Sequence, residues 1–93
     1  MPVRLSELEP GEEGVVVKIL GRGPVVRRMA DMGLTPGTRV KVLRKAPLRD
    51  PIEFEVRGYN LSLRRDEASL VLVEVTRDRG HPTRQGRASR APT

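Results

Sequence analysis

Twelve acidic side chains, one histidine and no cysteine set the chemistry open to this 93-residue chain. A thiol nucleophile, a disulfide framework and a Cys/His zinc site are excluded at once. Acid–base catalysis needs an oriented pair of groups, and two neighbouring carboxylate pairs stand in the sequence, Glu12-Glu13 and Asp66-Glu67. Adjacent residues in turns and strands point apart, so both pairs read as solvated turn charges. His81 lies where no apolar neighbour could orient it, which removes a nucleophile–histidine–acid triad. Glu7, Glu9, Glu12 and Glu13 cluster in sequence, yet a transition-metal site would need imidazole or several converging carboxylates, and the single imidazole is remote. Gly21-Arg22-Gly23 lacks the Gly-Lys-Ser/Thr ending of a phosphate loop, and Pro24 withholds one amide. No catalytic residue, metal ligand or cofactor is expected.

That leaves binding, and the charge has to be divided before it is read. Residues 1–75 carry 13 basic and 11 acidic side chains, a net of +2. Residues 76–93 carry five arginines against Asp78 alone, a net of +4. This last stretch holds no Val, Leu, Ile, Met or aromatic residue, so it cannot offset the roughly 1–2 kcal/mol per residue that backbone ordering costs. It is expected to be a basic disordered tail, able to touch an anionic membrane surface at about 1 kcal/mol per arginine. All 24 Val, Leu and Ile residues fall within 1–75, which must therefore hold one small core. The longest apolar runs, such as Leu70-Val71-Leu72-Val73, fall far short of the roughly 20 residues of a membrane-spanning helix. The first residues lack the apolar stretch of a secretory signal, so a cytoplasmic location is expected.

The elements that position any binding surface follow from period and punctuation. Leu5 and Leu8 suit one short turn laid on the core. Val15 to Leu20 reads as a strand with Val15, Val17 and Ile19 on one face and Val16, Lys18 and Leu20 on the other. The period then changes: Val25, Met29 and Met32 recur at helical spacing, with Arg27, Arg28 and Asp31 opposite. Pro24 suits the first helical turn, Gly33 a left-handed stop, and Leu34 the apolar partner of that stop. Thr35-Pro36-Gly37-Thr38 has the residues of a type II turn. Arg39–Arg44 and Ile52–Arg57 alternate as strands about a double-proline loop, Ala46 to Pro51. Gly58-Tyr59-Asn60 is read as a turn, Leu61–Leu63 as a short strand, Arg64–Ser69 as one helical turn and Leu70–Val75 as the closing strand. The fold class is mostly β: a small, bent barrel of about five short strands with one helix after the first.

The order of these signals resembles the FeoA family of small proteins of bacterial ferrous-iron transport. The matching pieces are Leu5, Leu8, Gly11 and Gly14, then Arg28-Met29, Met32-Gly33-Leu34 and Pro36-Gly37. They continue with Ala46-Pro47-Leu48, Asp50-Pro51, Gly58, Leu61, Leu63-Arg64 and Glu67-Ala68. The resemblance implies an SH3-like barrel over residues 1–75 and a partner, the FeoB-type membrane GTPase transporter, which the small protein modulates without catalysing a reaction itself.

On this reading the partner contacts are expected at Arg28, Asp31, Leu34, Pro47, Asp50, Tyr59, Arg64 and Arg65, a charged rim about apolar residues. Leu70 and Leu72 join them, because a barrel buries one face of its last strand and the other needs a cover. That cover could be the Leu5–Leu8 segment, the tail, a partner or a second copy in a homo-oligomer. The alternative function is an SH3-like RNA- or DNA-binding module using the basic tail. A body charge of +2, and only Phe54 and Tyr59 for base stacking, make specific nucleic-acid recognition the weaker expectation.

Overall fold

Alternation and turn chemistry together build one antiparallel sheet in the computed structural model, which describes residues 1–77. Its strands are β1 (Val3–Arg4), β2 (Glu13–Ile19), β3 (Arg39–Lys45), β4 (Ile52–Val56), β5 (Tyr59–Leu63) and β6 (Val71–Arg77), in the spatial order β1-β6-β2-β3-β4-β5. Helix α1 (Pro24–Asp31) joins β2 to β3, and a single-turn helix α2 (Arg65–Ala68) joins β5 to β6. A 3-10 turn over Leu5–Glu7 follows β1. The sheet curls about one core in which Leu5, Met29, Ile52, Phe54, Val56 and Val73 are wholly buried. Six strands stand where about five were expected, because Val3 and Arg4 add a two-residue strand against Val73 and Leu72 of β6.

The most regular alternation in the sequence is the best-buried strand. Ile52, Phe54 and Val56 have no exposed surface, and each fully buried side chain of this kind contributes about 1.5–3 kcal/mol. β2 departs from its expected two faces. It pairs Val16 with Val73 but Lys18 with Leu72, so Val17 is an extra residue in a bulge. The bulge shifts the parity of the strand: Val16 is buried, Ile19 three positions on packs against the core, and Val17 faces solvent. At Gly14 the β2 backbone passes so close to β6 that an added Cβ would lie 2.9 Å from the Glu74 carbonyl oxygen.

Two further boundaries move. The β4–β5 turn is Arg57-Gly58, both with positive φ (53° and 85°), the two-residue hairpin whose twist matches that of its strands. Tyr59 and Asn60 therefore belong to β5 rather than to the turn. β6 runs to Arg77, two residues beyond the boundary expected at 75. The basic tail expected over 76–93 lies from Asp78 onward outside the described residues.

Candidate partner-binding surface

The end of α1 is held by backbone geometry. Gly33 has φ 101°, its amide donates to the Ala30 carbonyl at 3.0 Å, and the Leu34 amide donates to the Met29 carbonyl at 3.1 Å. These are the paired bonds of a glycine-terminated helix, and Leu34 folds back onto the core as such a stop requires. Full burial corrects the expectation that Leu34 is a surface contact. The Tyr59 hydroxyl donates to the Met32 carbonyl, and Arg57 donates to Thr38 Oγ1 at 3.1 Å, so the β4–β5 hairpin is tied to the helix stop. Asp31 and Tyr59 share this end, with Tyr59 43% exposed.

The 46–51 loop closes on itself through backbone bonds, the Ala46 amide donating to the Pro51 carbonyl at 3.0 Å and the Arg49 amide to the Ala46 carbonyl at 2.6 Å, and side chains tie it and α2 to their neighbours. Lys45, its side chain buried, donates to the Ser6 carbonyl at 3.2 Å and lies 3.5 Å from the Glu9 carboxylate. Arg49 reaches the same carboxylate at 2.5 Å. The Arg49 hydrogen bond, helped by the Lys45 charge, holds the Glu9 carboxyl below its ordinary value of 4.5 despite the opposing effect of partial burial. Asp50 Oδ1 accepts the Arg65 amide at 2.9 Å, which fastens the loop to the first turn of α2. Glu67 accepts the Arg64 amide at 3.0 Å through Oε1 and pairs through Oε2 with the Arg28 guanidinium.

The expected contact residues thus divide. Asp50, Arg64 and Arg65 come together with Leu48 and Asp66 around one shallow open depression. Arg28 is joined to this group through Glu67, and Pro47 is exposed on the same loop. Asp31 and Tyr59 sit with the helix stop. Leu70 and Leu72 are half-buried at the β6 side, where Arg4 of β1 stands opposite Leu72 and Leu70 packs against the core. Among the described residues neither Arg64 nor Arg65 pairs with a carboxylate.

Leu48, which is not among the expected contacts, is 87% exposed at the tip of the loop. Its signal was present in the sequence: a lone leucine between two prolines, beside Arg49 and Asp50, belongs to no apolar period. Among the described residues no three His, Asp or Glu side chains converge as metal ligands would. None of the described helices is long and apolar enough to cross a membrane. An exposed leucine edged by free guanidinium groups and anchored from behind has the composition of a protein contact, apolar at its centre and charged at its rim.

Comparison with known proteins gives the same domain. The model of the FeoA domain matches residues 3–75. The chain belongs to the FeoA family. Over 73 residues it is 42% identical to a Fe(2+) transport protein A/Fe(2+) transporter FeoB fusion protein of Porphyromonas gingivalis. That alignment takes in 78% of this chain but only 9% of the fusion protein, so the chain spans a small part of its relative. Among solved structures, the FeoA-like protein of Clostridium acetobutylicum is 40% identical with a TM-score of 0.78, covering 86% of this chain and 93% of that one. The zinc-complexed FeoA of Stenotrophomonas maltophilia, described as an SH3 domain protein, is 28% identical with a TM-score of 0.68 over 80% of this chain and 89% of its own. The FeoA fold here is accordingly an SH3-like barrel, as the resemblance implied. A manganese-dependent transcriptional repressor, 21% identical with a TM-score of 0.73 over 80% of this chain and 41% of that one, shares the fold alone.

Proposed function

We propose that this protein is a non-catalytic accessory component of ferrous-iron uptake that docks on a FeoB-type transporter through the 46–51 loop and α2. The observation that carries the reading is the fusion protein of Porphyromonas gingivalis, in which a domain 42% identical to this chain shares a polypeptide with FeoB. Two domains joined in one chain meet at a high effective concentration, which makes their contact the natural arrangement.

The surface supplies the parts such contact needs. Leu48 presents an apolar anchor, and Arg64 and Arg65 present guanidinium groups to acidic or carbonyl acceptors. Asp50, Glu9, Lys45 and Glu67 are spent inward, holding loop and helix in place before a partner arrives, which lowers the ordering cost of binding. Modulation follows if the docked transporter favours one of two conformations, which requires that this surface bind one of them more tightly. The test is the GTP hydrolysis rate of purified FeoB from the same genome, with and without a saturating amount of the full chain. A changed rate that reverts when Leu48→Glu replaces the parent supports the reading. An unchanged rate, with no detectable binding by calorimetry, overturns it.

A further inference from the structure

The sheet is open between its two end strands, and these ends differ. β1 is two residues long, the usual way to blunt an edge. β5 has five residues, pairs with β4 through an unbroken register from Val56–Tyr59 to Ile52–Leu63, and contains no lysine, proline or bulge. In an antiparallel hairpin closed by the two residues Arg57-Gly58, the Val56–Tyr59 pair exchanges hydrogen bonds, and such pairs then alternate along the ladder. Tyr59, Leu61 and Leu63 therefore turn their amides and carbonyls to β4, while Asn60 and Ser62 turn theirs away. Both residues are exposed, and among the described residues none bonds to their outward backbone groups. Two donors and two acceptors, at the spacing of an extended chain, stand open on one edge.

Charge selects between occupants. A second copy paired antiparallel about Leu61 would set Gly58 opposite Arg64 and Arg57 opposite Arg65, placing like charges face to face at both ends. The strand itself is neutral, and its ends are marked by Arg57 on one side and by the unpaired Arg64 and Arg65 on the other. We propose that the β5 edge receives an extended segment of the partner with an acidic residue at each end, added to the sheet as a seventh strand. Its main chain would bond Asn60 and Ser62, and its acidic ends would meet the arginines. The edge adjoins Arg64 and Arg65, so the added strand continues the surface around Leu48. Only the identity of the protein that carries the segment rests on the transporter reading.

The experiment uses the full chain, 15N-labelled, and two synthetic peptides. One is acetyl-Glu-Thr-Val-Thr-Val-Thr-Glu-amide, and the other carries Lys in place of both Glu. The acidic-ended peptide is expected to shift the Asn60 and Ser62 amides, to slow their hydrogen exchange at least tenfold, and to bind at least tenfold more tightly than the basic-ended one. Ser62→Pro, which removes one outward amide, should abolish this binding while Ser62→Ala preserves it. If Ser62→Pro fails to fold, the exchange measurement on the unaltered chain decides. Equal binding of the two peptides, or exchange at Asn60 and Ser62 that neither peptide slows, overturns the proposal. So does protection of these amides in the free chain together with a doubled mass in sedimentation, which would assign the edge to a second copy. The cytosolic domain of FeoB separates the two readings. Its binding without protection of Asn60 and Ser62 would overturn the edge proposal alone, and peptide binding without FeoB binding would overturn the transporter reading alone.

Discussion

Two ends of this barrel are fastened by different means. At the stop of α1 the bonds are backbone bonds, set by Gly33, Pro36-Gly37 and Arg57-Gly58, with the Tyr59 hydroxyl as the added tie. The 46–51 loop has backbone bonds of its own, but the polar ties from it and α2 to their neighbours are side chains, Glu9 with Arg49 and Lys45, Asp50 with the Arg65 amide, and Glu67 with Arg28 and the Arg64 amide. Backbone geometry cannot be altered without altering the fold, whereas charged surface contacts are individually worth about 0–1 kcal/mol. The difference teaches where substitution should be felt. The backbone-held stop is expected to tolerate change least, while the exposed apolar and charged side chains gather around Leu48.

The sharpest way to break the comparison is Gly33→Val. At φ 101° a Cβ is strained, and here it would also lie 3.2 Å from the Tyr59 hydroxyl oxygen. The expected loss is about 2 kcal/mol, or roughly 10 °C in Tm for a domain of this size, read by thermal denaturation. Transporter binding measured well below that Tm should be retained. Leu48→Glu should do the reverse, with Tm unchanged within about 2 °C and affinity for the FeoB cytosolic domain down about tenfold or more by calorimetry. A Tm that falls with Leu48→Glu would erase the distinction between the ends.

Glu67→Ala sharpens the comparison further, because it removes both the Arg28 partner and the acceptor of the Arg64 amide. The expected cost is about 1 kcal/mol, with a wider spread of amide shifts around α2 than around Gly33. The smallest effect is that of pH. The folded Glu9 carboxyl is held below 4.5, so its contribution to stability is present above that value and is lost as pH falls through the folded one. Tm profiles of the parent and Glu9→Gln should therefore differ near pH 7 and converge only once the pH has fallen through the lowered folded value.

Much of the stable end was legible in the sequence, because turn chemistry is local. Pro24 has its φ fixed at a helical value, and Gly33 and Gly37 can take the positive φ that a helix stop and a type II turn require, as they do here. The bulge at Val17 was not legible, since nothing in Val15-Val16-Val17 distinguishes an even strand from one with an extra residue. The expected turn starts one residue late and ends two late, because Arg57 continues the alternation of β4 while occupying a left-handed turn position. At the candidate surface, Asp50, Arg64 and Arg65 were singled out as charges near turns, and the fold brings them together. Their organisers, Glu9 and Lys45, were not, because contacts from one end of the chain to its middle leave no local trace. Leu34 cannot be both the apolar partner of the helix stop and a surface contact, and the structure buries it, as a stop of this kind does with the residue after its glycine.

The most direct test is an amide-shift titration of the full 15N-labelled chain with the cytosolic domain of FeoB from the same genome. Docking through the loop and α2 predicts the largest shifts at Leu48, Arg49, Asp50, Arg64 and Arg65, with Ala30 and Gly33 unmoved. Shifts gathered instead at Ala30, Asp31 and Gly33, or no shifts at saturating transporter domain, would contradict it.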